Sequence, residues 1–365
     1  MPLDRILGQP FHTLADRAPL REEFPMSSQQ AEGWSRREFL GGVTLAGTAG
    51  LLGVRPTPVA AEPPVETTTL RLAQIPGACI APQYVAEDLL HGEGFTDVQY
   101  VKKARRVQTY EAVASGEVAI TVGSVGPLLI QVDAGDPIVF VAGVHVGCFS
   151  LFGTDRVRSI RDLKGKTVAV TDLGSGRHVF LASAMAYVGL DPRKDVNFAV
   201  HSAAESMRLL AEGKIDAYQA FSEEVQELRA KKIGHVVLDS TMDRPWSQYF
   251  CCMMAMNREF ARKYPVATKR ALRAILKAAN VCALEPDRAA RLIVDKGYAQ
   301  DYDYTLETLK SLPYTKWREY DPEDTIRFYA LRLHEVGMIK ASPQKIIAQG
   351  TDWRFLNEVK KELKG

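Results

Sequence analysis

No strong excess of either charge runs through this chain: 46 basic and 44 acidic side chains leave a formal net charge of +2 over 365 residues. That near-balance excludes a nucleic-acid partner, because phosphate binding needs a concentrated basic face. The short run Lys102-Lys103-Ala104-Arg105-Arg106 reads as a solvated loop or helix end. Cysteine is scarce. The five residues Cys79, Cys148, Cys251, Cys252 and Cys282 contain no CxxC pair and no zinc-finger spacing, so no metal site is expected from them. Their odd number and scattered positions give no disulfide framework, and they read as small buried apolar side chains. Ser-His-Asp, Walker-loop and HExxH signatures are missing as well, so an enzyme is not expected and no cofactor is called for.

The beginning of the chain reads as an address. Ser35-Arg36-Arg37-Glu38-Phe39-Leu40 sets two arginines before an apolar pair, and Gly41 to Val54 follows without a charge. That run is too short and too weakly hydrophobic for the roughly 20 apolar residues that a membrane span requires. Its glycines argue equally against a stable core helix. Arg55, two prolines and Val59-Ala60-Ala61 then supply a small-residue cleavage pattern. The paired arginines resemble a twin-arginine export signal, and Arg55 beside the cleavage site suits that route. The leader has no cysteine for lipid anchoring, and translation begins at Met1 or at Met26. Residues 1–61 are therefore set apart from the fold.

From Thr67 onward, strands and helices alternate. Thr69–Ile75 alternates as a strand, and Pro76-Gly77 turns into a helix with Ala81, Val85 and Leu89 on one face. A strand near Val98–Val101, a helix over Gln108–Ser115 stopped by Gly116, and a buried strand at Ala119–Val122 come next. Gly126–Ala134 reads as a helix ended by Gly135, and Ile138–Val144 as a strand. The pattern then restarts. Ser159 and Asp162 frame a capping box, Thr167–Val170 is a strand, and Gly174-Ser175-Gly176 opens a helix that ends at Gly189. Val196–Val200, a helix capped by Ser202 and Glu205, Asp216–Phe221 and His235–Leu238 complete the second set. Such alternation with short connections predicts mostly parallel sheets covered on both faces. The halves echo one another: Val113-Ala114-Ser115-Gly116-Glu117-Val118-Ala119-Ile120 parallels Leu210-Ala211-Glu212-Gly213-Lys214-Ile215-Asp216-Ala217. After a further strand at Tyr249–Met256 the chain becomes a series of helices, expected to pack on the first lobe.

The block Ile160-Arg161-Asp162-Leu163-Lys164-Gly165-Lys166-Thr167-Val168-Ala169-Val170, with Gly189-Leu190-Asp191-Pro192, Glu212–Ala217, Asn257-Arg258-Glu259-Phe260 and Tyr264-Pro265, resembles the nitrate/sulfonate/taurine-type periplasmic binding proteins. That group also contains binders of thiamine-pyrimidine precursors. The resemblance runs from about Leu70 to about Ala290 and implies an α/β fold of the type II periplasmic-binding-protein class. In that class two lobes are joined by two crossing strands, with a cleft between them. It places the crossings near Ser150–Thr154 and Trp246–Cys251. Lobe I would comprise residues 67–152 plus 250–365, carrying the helical C-terminal tail, and lobe II residues 153–249. The implied function is the periplasmic solute-binding subunit of an ABC importer. It would act as a monomer, hold a small anionic or zwitterionic solute such as a sulfonate, nitrate or taurine, and deliver it to a membrane permease with its ATPase. A pyrimidine-precursor binder, a pyrimidine-synthase-like enzyme and a ligand-sensing docking module are the alternatives. Cys251-Cys252 is only a fragment of the cysteine run that such a synthase carries.

Ligands of open α/β sheets sit beyond the carboxyl ends of strands. Four loops meet that description: Gln74 to Cys79, including Gly77; Ser124 with its neighbours; Leu173 to His178; and Tyr218 to Glu223. Gly174, Ser175 and Gly176 at a helix N-terminus suit an anion, and Arg177 could grip a carboxylate or sulfonate, or simply face solvent. The missing third glycine, replaced by Val179, excludes a dinucleotide fingerprint. Ser124 reads as ligand contact or helix cap, Tyr218 and Phe221 as stacking platforms or core. Glu223 reads as a partner for a cationic or amine-bearing solute, or as a helix-start complement. His145 and Cys148 fall just before the first crossing and border the cleft in this reading, whereas His178 is expected on the helix surface or behind a ligand-contacting residue, and not as a metal ligand.

Overall fold

The computed structural model describes residues 62–103 and 106–363; the leader and its arginine pair lie outside them. The first four strands are β1 (Thr69–Gln74), β2 (Asp97–Lys102), β3 (Ile120–Ser124) and β4 (Ile138–Val146). Next come β5 (Phe149–Gly153), β6 (Lys166–Val170), β7 (Val196–Val200), β8 (Ala217–Phe221) and β9 (His235–Asp239), and finally β10 (Phe250–Asn257). They form two five-stranded sheets, ordered β2-β1-β3-β10-β4 and β7-β6-β8-β5-β9. β1 runs parallel to β2 and β3, and β6 parallel to β7 and β8. β10 is antiparallel to both its neighbours in the first sheet, as β5 is in the second. Each sheet thus takes its one antiparallel strand from the chain just as it arrives from the other sheet.

Strands β3, β8 and β10, inside their sheets, and β4 at an edge are buried along their whole length, as Val-, Ala- and Met-rich strands must be when helices cover them. The internal echo has a structural basis. Gly116 (φ 78°) and Gly213 (φ 65°) each end a helix in the left-handed region, where a side chain would be strained, and lead into β3 and β8. These two strands hold the same place in the two sheet orders. The local chemistry read from sequence is also present: Ser159 and Asp162 form a capping box, and Ser202 accepts from the Glu205 amide.

Three expectations need correction. The first crossing is at Gly147-Cys148, earlier than Ser150–Thr154, because Ser150 to Gly153 already belong to β5 and pair with β8. The helix expected after Pro76 is broken into a 3-10 turn, Ala78–Ile80, and two short helices, Ala81–Val85 and Glu87–Gly92. Tyr84 folds back over this break, its hydroxyl donating to the Ile75 carbonyl (2.7 Å) and accepting the Ile75 amide (2.8 Å). Lastly, the helical tail is not confined to the first sheet. Asp352 N does donate to Phe140 O of β4 at 2.9 Å. Yet the helix Pro322–Glu335 also packs on Gly176–Tyr187, and Tyr302–Ser311 on Glu223–Ala230, both of which follow strands of the second sheet.

Candidate functional site

The loops after β1 and β8 meet across the cleft. Gly77 has φ 133°, its amide donates to Tyr298 O (3.1 Å), and a Cβ added to it would stand 3.4 Å from a Phe221 ring carbon. The next amide, Ala78 N, donates to Glu223 Oε1 at 2.8 Å. Glu223 therefore acts as more than a complement to its own helix: its carboxylate satisfies the amide that opens the 3-10 turn on the opposite sheet. Gln74 stays within the sheet, in register with Lys102.

The Gly174–His178 loop does not present an open anion cradle. Ser175 Oγ donates to Asp172 O (2.7 Å) and accepts from His178 N, while the Gly174 amide donates to His178 Nδ1 (3.1 Å). The helix start is packed directly on the other sheet, since a Cβ on Gly176 would lie 2.4 Å from Ser124 Oγ. Ser124 makes no side-chain cap for its own helix, and its side chain serves this contact. The Gly174 and Ser175 amides are thus bonded within the loop, and Gly176 is packed against the other sheet. His178 is half-buried and supports this loop: its ring lies edge-on to Phe198 (4.7 Å), and burial lowers its pKa to about 4.

Arg177 turns inward. Its guanidinium grips Glu224 through both terminal nitrogens, with Nη2 to Oε1 at 2.8 Å, and Nη1 also donates to the Tyr218 hydroxyl at 2.9 Å. Tyr218 in turn donates to Glu224 Oε2 (2.5 Å), and the guanidinium lies 5.2 Å from the Phe221 ring centre. Burial alone would lower the Arg177 pKa, but the Glu224 carboxylate more than offsets this and keeps the cation charged. Burial pushes the Tyr218 phenol well above its usual value. A buried guanidinium must find a carboxylate, and Glu224 supplies it before any solute does.

Aromatic rings fill the middle of the cleft. Phe149 stacks on Phe180 (4.8 Å) and tilts against Phe221 (5.3 Å). The cavity left between Ser124, Gly176 and Phe180 is about 10 Å³, barely room for one water. Larger spaces open to either side of the helix Glu223–Ala230. One, of about 420 Å³, is bordered by Gly77, Arg177, Phe221, Glu223, Tyr298 and Asp301. It also touches Glu224 and Glu227, so carboxylates dominate its charge. The other, of about 200 Å³, is bordered by Cys148, Ser150, Ser222, Gln226 and Thr308. Ser222 sits there with φ 56°, its hydroxyl buried without a hydrogen-bond partner.

The structure thus gathers Gly77, Arg177, Phe221 and Glu223 around one cavity and places Cys148 at another, while Gly174, Ser175 and Tyr218 act in support. Cys79 is fully buried below the cleft beside His145, Cys148 and Cys252. Sequence reasoning missed Tyr298, Asp301 and Thr308. They come from the helical tail, and only Asp301 carries a local signal, as the N-cap of Tyr302–Ser311.

With this geometry established, the chain can be compared with known proteins. The model of the NMT1-like family matches residues 63–296. No curated protein matches the sequence significantly. Among solved structures, the periplasmic nitrate-binding protein NrtA from Synechocystis PCC 6803 is 16% identical, with TM-score 0.68, over 83% of this chain and 90% of that one. The periplasmic aliphatic sulphonate binding protein SsuA from Escherichia coli is 18% identical, with TM-score 0.63, over 79% and 94%. The desulfurization enzyme DSZB is 14% identical, with TM-score 0.57, over 80% and 99%. The fold is that of the periplasmic binding proteins, as the sequence implied.

Proposed function

This chain belongs to the NMT1-like family, and on that footing we propose that it is a solute-binding subunit of an ABC importer, exported to the periplasm and partnered by a membrane permease and its ATPase. The observation that carries the reading is the contact of the β1 and β8 loops, Ala78 with Glu223, across two sheets that exchange their antiparallel strands. Such a pair of lobes, residues 67–147 with 250–365 and residues 148–249 once the first crossing is moved to Gly147-Cys148, hinges about its crossings and closes on a ligand. The structural neighbours include nitrate and sulfonate binders. Export by the twin-arginine route follows the Arg36-Arg37 pair and belongs to the same proposal.

Within the expected solute classes, the cavity favours a zwitterion over a bare anion. Arg177 is already neutralised by Glu224, whereas Glu223 and Asp301 offer carboxylates to an ammonium group beside the rings of Phe221 and Tyr298. The fold also carries a desulfurization enzyme. We read this chain as a binder because the polar groups at its main cavity are engaged with one another and not poised as a nucleophile with its base. The test is a ligand-dependent thermal shift of the mature protein against amino-sulfonates, amino acids, amines, nitrate and alkyl sulfonates, with mass spectrometry of any solute that co-purifies. Stabilisation by an ammonium-bearing solute is expected. A protein that no member of the set stabilises, and that carries no solute on purification, is not a binding subunit of this kind.

A further inference from the structure

From the side chains gathered where the chain crosses between sheets, we propose that Cys79, His145, Cys148 and Cys252 form a tetrahedral metal site whose occupant is Zn²⁺. The residues come from four places: the 3-10 turn after β1, the end of β4, the crossing itself, and β10. Their ligand atoms all lie within 4.8 Å of one another. Cys148 Sγ stands 3.7 Å from Cys252 Sγ and 3.9 Å from His145 Nε2. A tetrahedron with metal–sulfur bonds of about 2.3 Å sets neighbouring ligand atoms roughly 3.8 Å apart, so the Cys148–Cys252 separation fits a metal-bound set and the wider pairs, all within 4.8 Å, draw in on binding.

Two further features support the assignment. His145 Nδ1 lies 3.1 Å from Val146 O, and a proton donated there leaves Nε2, 3.9 Å from Cys148 Sγ, as the nitrogen free to ligate. Cys148 adopts φ 149°, a conformation that L side chains rarely take, directly after the left-handed Gly147. From that backbone its thiol lies among the other three ligand atoms, and strain of this kind persists where a site requires it. Three thiols and one imidazole select a thiophilic d¹⁰ ion. On binding, each thiol gives up its proton to solvent, and Zn²⁺ with three thiolates leaves one net negative charge in the core. Cu⁺ would leave two, which is costlier to bury. Cys79, His145 and Cys252 are fully enclosed, and Cys148 is 5% exposed at the edge of the cavity of about 200 Å³; four protein ligands complete the tetrahedron, so the site is structural.

The ion would tie the crossing residue to the β1 loop and to β10, fixing one of the two connections about which the lobes turn. It would also protect the three thiols in an oxidising compartment, where thiolates held by zinc are not free to pair. The assignment stands whether or not the protein binds a solute.

Elemental analysis of the mature protein, purified without added metal or chelator, tests it directly. One zinc per chain is expected, with the Cys148→Ser/Cys252→Ser variant binding at least about tenfold more weakly. Cys282→Ser, which alters a buried cysteine outside the cluster, retains the metal. Replacement by Co²⁺ gives the intense visible bands of tetrahedral thiolate coordination, a readout that needs no folded variant. Zinc absent from the wild-type protein and not taken up after reduction overturns the proposal. A disulfide between Cys148 and Cys252 in freshly isolated protein, found by peptide mass spectrometry, also overturns it, as does one equivalent of copper in place of zinc.

Discussion

Glu223, at the start of the helix after β8, accepts the amide of Ala78, in the 3-10 turn after β1, at 2.8 Å, and this bond spans the cleft beside the cavity of about 420 Å³. Ala78 is fully buried, so its amide has no water to turn to if the carboxylate is removed. Glu223→Ala is expected to cost about 1–3 kcal/mol of stability, the range for a buried donor left unsatisfied. Glu223→Gln keeps an acceptor oxygen and should lose less. Urea denaturation measures both, and solution scattering should show the Ala variant as the more open of the two. Equal stability of wild type and the Ala variant would mean that the bond does not hold the lobes.

The inward-facing guanidinium makes the opposite forecast from a ligand-gripping one. Arg177→Ala leaves Glu224 buried without its cation, and about 3–5 kcal/mol of stability should go with it. The pair Arg177→Met with Glu224→Leu should recover most of that loss, since no charge then remains to be solvated. A single Arg177→Ala variant that melts like wild type but no longer binds solute would instead make Arg177 a ligand group.

His178 gives the protein a pH dependence whose sign is fixed by burial. Its folded pKa is lowered to about 4 from the ordinary 6.5, so between these values the unfolded chain binds the proton and the folded chain does not. Stability is then full above pH 6.5 and falls as the pH drops toward 4. The contribution is on the order of 3 kcal/mol. Protonation would also set a cationic ring against the Gly174 amide, which now donates to Nδ1. His178→Asn, which retains an acceptor but does not titrate, should flatten the melting-temperature profile over that interval.

Gly176 and Ser124 form a tight seam between the sheets. A methyl on Gly176 would meet Ser124 Oγ at 2.4 Å and Ser124 Cβ at 2.8 Å. Gly176→Ala is therefore expected to destabilise by about 1–3 kcal/mol through overpacking. Adding Ser124→Gly removes both atoms and should restore stability. Thermal melts of the two single variants and the double variant decide it, and strictly additive losses would show that the residues do not meet.

Much of the local structure was legible because its causes are local. Gly116, Gly135 and Gly213 end helices in the left-handed region, and Ser159 and Ser202 start them, so element order could be read from neighbours in sequence. The apolar runs of β3, β4 and β10 carried burial in their composition. Of the candidate site, the β1 and β8 loops could be placed because strand carboxyl ends fix where ligands approach an open sheet.

The sequence by itself determined the two sets of alternating strands and helices, the near-neutral charge and the loops that face the cleft. Only the tertiary structure decided which side chains those loops spend on one another. Arg177 looks available in sequence, yet the preference of a buried cation for a carboxylate assigns it to Glu224, 47 residues away. The five cysteines show no metal spacing, because ligand spacing is informative only when one short segment supplies a pair. Here Cys148 and Cys252 are 104 residues apart and come within 3.7 Å through the return of β10 beside β4. Chain crossings create that proximity, and no local pattern encodes it.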